Sequence, residues 1–122
     1  MSSASSRKAG KGELMLNEAI RDLEAGCFNK ATGGFYFAVR WFAERLLFRL
    51  GAPVPRRDDK LANAIENVGA IEPAEILRTL YDLRLKADYS DLEVTSSEVI
   101  HAKKLALKAI NELRQLLEKL GS

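Results

Sequence analysis

The chain has 122 residues, of which 47% are hydrophobic and 30% charged, with a formal net charge of +2. This length suits one domain with a real core, the composition is that of a folded protein rather than a disordered one, and the charge falls short of a dedicated nucleic-acid binder. No apolar run approaches the roughly 18 residues of a membrane-spanning helix, and the opening MSSASSRKAGKG lacks the apolar stretch of a secretory signal, so a cytoplasmic protein with no membrane association is expected.

Residues 1–12 carry Arg7, Lys8 and Lys11 ahead of the first acid, Glu13, and read as a flexible basic arm; the folded domain is expected over 13–120. The first helix is predicted from Glu13 to Ala25, with Leu14, Leu16, Ala19, Ile20 and Leu23 inward and Gly26 as its stop. Cys27 is the single cysteine and His101 the single histidine. Neither an internal disulfide nor a Cys/His metal site is possible with that inventory, no cofactor is expected, and Cys27 is read as a packing residue at a helix junction.

Asn29 is placed to cap a second helix that reaches Leu50 and stops at Gly51. Its segment FYFAVRWFAERLLFRL is apolar on nearly every side and is interrupted only by Arg40, Glu44, Arg45 and Arg49. Such a helix needs cover on two faces. Phe35, Val39, Phe42, Leu46 and Leu50 are assigned to the core. Phe37, Trp41 and Phe48 require a further cover, either internal or from a second copy, and are the expected interface. Gly33 and Gly34 would allow a close backbone approach.

The loop GAPVPRRDDK follows, and Asp58 or Asp59 can cap a short third helix carrying Leu61, Ala64, Ile65 and Val68 to a stop near Gly69. Pro73 suits the first turn of a fourth helix, whose stripe is Ile76, Leu77, Leu80, Leu83 or Arg84, and Ala87. Thr95 and Glu98 form a capping box before a long fifth helix that runs to about Leu120. With few prolines and no alternating β-branched runs, the expected architecture is an all-α, up-and-down bundle of about five helices.

Arg84 lies on the apolar side of the fourth helix, and Asp88, four residues on, shares its face. The pair is either a structural ion pair or, with Tyr89, the lining of a phosphate or nucleotide cleft to which Arg56 or Arg57 adds a contact. Asp58 and Asp59 are adjacent and should point apart, and His101 falls on an ambiguous face of the fifth helix. No phosphate-binding glycine loop is present.

Taken together, ELMLNEAIRDLEAGCFNKA, GGFYFAVRWFAERLLFRLG and LYDLRLKADYSDLEV before an alanine-rich last helix resemble the HEPN domain family, in its prokaryotic stand-alone branch, over about residues 13–118. The resemblance implies a homodimer, a nucleotide or RNA ligand, and a minimal nucleotidyltransferase partner in a toxin and antitoxin-like pair. Ribonuclease members carry an arginine followed, after four to six residues, by a histidine. Arg84 matches the arginine, but the histidine positions hold Tyr89, Ser90 and Asp91. Tyrosine, with an ordinary pKa near 10, is a poor base at neutral pH. The resemblance therefore implies a non-catalytic binding module, the alternative being a metal-independent RNA endonuclease in which Arg84 acts with Tyr89 or His101.

Overall fold

The structure, a computed structural model, describes residues 3–89, 91 and 93–121, with side chains from Gly10 onward. The described residues form five helices: α1 Ser3–Glu24, α2 Phe28–Arg49, α3 Asp58–Asn67, α4 Ile71–Tyr89 and α5 Ser96–Gly121. Ser90 lies outside the described residues, as do the side chains of Arg7 and Lys8. No helix among those described is long and apolar enough to cross a membrane.

Short connections set the directions. The Asp22–Lys30 ion pair and the approach of Gly34 to Ala19 run α1 against α2. Lys86–Glu98 and Glu72–Lys108 do the same for α4 and α5. The four long helices thus alternate up and down, and α3 is a short insertion between α2 and α4. α2 packs against all four others and supplies Phe35, Tyr36, Val39, Phe42 and Leu47 to the centre of the core. Alanines fill the surrounding seams: Ala31, Ala38 and Ala43 on α2 and Ala102, Ala106 and Ala109 on α5 are buried, which lets helix axes draw close.

Gly26 and Gly51 end α1 and α2 at φ +82° and +72°, a backbone region that side chains with a Cβ rarely enter. The capping box also forms as expected: Glu98 N donates to Thr95 Oγ1 at 3.1 Å and Thr95 N to Glu98 Oε1 at 2.9 Å. Lys86 adds two bonds to the same carboxylate, so one side chain joins α4 to the start of α5.

Several expectations are corrected. α1 begins at Ser3 rather than Glu13, because Gly12 packs into the bundle: a Cβ there would meet the Trp41 and Phe42 rings at 2.6 Å. Gly12, within the expected flexible arm, is thus a contact point. Leu14, expected inward, is exposed, since the face α1 buries runs through Gly12, Leu16 and Ala19. Leu50, Val68 and Leu120, at helix ends beyond their neighbours' cover, are exposed as well.

Asn29 does not cap α2. Cys27 holds the N-cap position without a side-chain bond and is exposed rather than packed, while Asn29 Oδ1 accepts from Val94 N at 2.9 Å. Asp58 and Asp59 lie inside the first turn of α3, after Arg57.

Gly34 faces Ala19 of α1 so closely that an added Cβ would stand 2.9 Å from the alanine Cβ, whereas Gly33 faces open space. Gly33→Ala should therefore stabilise the protein by about 0.5–1 kcal/mol through helix propensity. Gly34→Ala should destabilise it despite the same propensity gain, and urea denaturation of the two variants checks the difference in sign.

The bonds from Lys86 and then Thr95 hold the Glu98 carboxyl down at about 2, against 4.5 for a free glutamate. A depressed folded-state value means that this stabilisation is full above the unfolded value and is lost as pH falls from about 4.5 towards 2. Thermal melts of wild type and Glu98→Gln should converge over that acid window and stay separated above it.

Candidate functional site

α2 carries two kinds of polar interruption. Thr32 is fully buried and returns its hydroxyl to Phe28 O at 2.8 Å, which satisfies it within the helix. Arg40 cannot be satisfied that way, and it draws partners from two further segments. Its Nη1 donates to the Tyr36 hydroxyl at 3.2 Å and contacts Asp58 Oδ1, its Nη2 donates to Arg56 O at 2.7 Å, and its Nε lies 3.3 Å from Glu44 Oε2. Only 16% of this side chain is exposed. The result pins the 51–57 loop and the start of α3 to the middle of α2.

Arg84 reaches the same corner from α4. Its guanidinium lies over the Tyr36 ring at 5.3 Å and over the Phe37 ring at 4.8 Å. Tyr81, one turn earlier on α4, tilts against Tyr36 with centroids 5.9 Å apart. Asp88 Oδ2 stands 3.3 Å from Arg84 Nε, so the expected ion pair is present, yet Nε is buried and donates no hydrogen bond. The two arginines therefore differ in kind. Arg40 is engaged through all three of its nitrogens, while Arg84 lies over two aromatic rings with its Nε beside Asp88 but donating no hydrogen bond.

The electrostatics tie the two together. Burial pushes the Asp58 carboxyl upward from its ordinary value, the positive charge of Arg84 pulls against that, and the negative charge of Asp59 adds to the rise. Asp58 thus sits in the field of both guanidinium groups.

Of the residues singled out from the sequence, Arg84 and Asp88 are in contact and the backbone of Arg56 joins the corner through Arg40. Arg57 is exposed and bonds Asp59 through Nε at 3.2 Å and Nη2 at 3.0 Å, so Asp58 and Asp59 do point apart. Tyr89 is 77% exposed at the end of α4, and His101 is exposed on α5. Phe37 and Phe48 are 41% and 64% exposed, and Trp41 is partly buried. Phe37, assigned to an interface, and Arg84, assigned to a ligand, are neighbours on one surface.

Tyr36, Arg40, Asp58 and Tyr81 were not singled out as site residues. One signal was available: Arg40 is the first charge in an otherwise apolar run, which implies a buried partner. Its partner Asp58 lies 18 positions away across a loop, beyond the reach of any helical spacing rule.

Among the described residues, no group of three or more His, Cys, Asp or Glu side chains gathers as a metal site would require. No protein-family model matches this chain, and no curated protein matches it.

Loss of Arg40 strands a half-buried Asp58 and the Tyr36 hydroxyl, so Arg40→Ala should cost about 3 kcal/mol. Loss of Arg84 leaves Asp88, which is 42% exposed and can be hydrated, so Arg84→Ala should cost only about 1 kcal/mol. Chemical denaturation of the two variants checks this order.

Proposed function

We propose that this chain is a non-catalytic, HEPN-like binding module that acts as a homodimer and holds a nucleotide or a short RNA segment beside Arg84. A minimal nucleotidyltransferase, in a toxin and antitoxin-like pair, is the protein partner this reading carries with it. The observation that supports the ligand site is the Arg84 guanidinium, on a side chain that keeps 23% exposure, lying over the Phe37 ring at 4.8 Å. A planar guanidinium suits phosphate oxygens, and a half-exposed phenyl ring beside it offers a base a stacking face.

The neighbouring groups fit that use. Asp88 orients the guanidinium from below without saturating it, and Arg40, tied to Arg56 O, keeps the arginine-bearing loop at the same corner. Phosphate contact at Arg56 or Arg57 would then add charge without requiring a rearranged core. Tyr89 contributes an exposed ring at the end of the same helix. The homodimer is supported by the exposed aromatic stripe of α2, Phe37 and Phe48 with Trp41 between them.

Titration of the purified protein with a fluorescent adenine nucleotide and with a short single-stranded RNA tests the ligand reading. Saturable binding is expected, weakened at least about tenfold by Arg84→Ala and left intact by Arg78→Ala, since Arg78 is already engaged by Asn63 and Glu66. No binding by the wild type, or equal binding by folded Arg84→Ala, would overturn it. Shortening of the RNA in the absence of metal would replace the binding module with the ribonuclease alternative.

A further inference from the structure

We propose that α2 pairs with α2 of a second copy, antiparallel and in one register, across a two-fold axis at the midpoint between Glu44 and Arg45. This deepens the dimer reading above and rests on it.

The surface is a stripe. On a helix with 3.6 residues per turn, Phe37, Trp41, Glu44 and Phe48 fall within about 60° of arc, and Arg45 adjoins them. Trp41, Glu44, Arg45 and Phe48, with Val54 of the following loop, line a shallow groove of about 300 Å³. The two large rings are separated by one acid and one base, with opposite charges next to each other.

That order is self-complementary. A two-fold contact sets each residue opposite the one equally far beyond the axis. With the axis between 44 and 45, Glu44 meets Arg45 of the second copy, and Trp41 meets Phe48, twice over by symmetry. Moving the axis a turn earlier, to Trp41, sets Phe37 against Arg45 and Glu44 against Ala38, a buried alanine. Moving it a turn later, to Phe48, sets Glu44 against Ala52 and Trp41 against Pro55. Of these registers, the central one alone gives both charges a partner and both rings a ring.

The side chains are available for it. Within one copy Arg45 lies over the Phe48 ring at 5.5 Å, already turned along the stripe. Glu44 keeps 37% exposure while one oxygen lies near Arg40 Nε, and a carboxylate has room for a second arginine. Burying Phe48 and the outer face of Trp41 against the same rings of the second copy supplies the apolar area that a charge pair alone does not.

Charge reversal tests the register. Glu44→Arg alone sets arginine against arginine, and Arg45→Glu alone sets glutamate against glutamate. Each single variant should weaken self-association at least about tenfold in sedimentation equilibrium. The double variant Glu44→Arg with Arg45→Glu should recover it, and an equimolar mixture of the two single variants should form a mixed dimer by native mass spectrometry. A wild-type dimer indifferent to both single reversals would overturn the register and leave the dimer standing. A wild-type monomer at micromolar concentration would overturn both, without bearing on ligand binding at Arg84.

Discussion

The structure depends on sheathing one helix. α2 offers apolar surface around most of its circumference, and water is excluded from it only when neighbours stand on several sides at once. α1, α4 and α5 form most of that sheath and α3 closes a corner. The alanine-lined seams and Gly34 allow the sheathing helices to approach closely, which raises packing density where large residues on both sides would have held the axes apart. What the four neighbours leave uncovered is the stripe through Phe37, Trp41 and Phe48.

Polar groups within such a sheath have few places to go, and that scarcity creates the candidate site. Arg40 cannot leave its helix face, so the loop and α3 come to it, bringing Asp58 and the Arg56 carbonyl. The Tyr36 hydroxyl is thereby engaged and its ring is left as a floor. Arg84 lies on that floor and on Phe37. A saturated arginine thus builds the support on which a less saturated one is displayed. The corner thus combines two guanidinium groups, the carboxylates of Glu44, Asp58 and Asp88, and the rings of Tyr36, Phe37 and Tyr81.

Local rules recovered what local forces decide. The five helices, the stops at Gly26 and Gly51 and the Thr95–Glu98 box all follow from residues within a turn or two of one another, and so do Phe35, Val39, Phe42 and Leu46 of the covered face of α2, though not Leu50. The Arg84–Asp88 pair was legible for the same reason. What stayed hidden depends on contacts between distant segments. Gly12 looks like part of a flexible arm until the rings of Trp41 and Phe42 lie against it. Asn29 has the right chemistry for a cap, but a free backbone N–H on Val94 competes for its side chain and wins. The meeting of Arg40 with Asp58 belongs to the same class, since each residue has a plausible local role and the actual one is set by how the loop returns.

The bond between Val94 N and Asn29 Oδ1 joins two residues 65 positions apart in the chain. A neutral hydrogen bond contributes about 1 kcal/mol net, less than the entropy lost in bringing together chain segments so far apart. It cannot draw the first hairpin and the last one into place by its own strength. It forms because the apolar surfaces between them have already met, and its geometric strictness then selects one longitudinal setting of α5 against α2 from the several that a greasy, alanine-rich seam would accept. Asn29 is in this sense a vernier: it adds little to how firmly the halves hold and much to where they stop sliding.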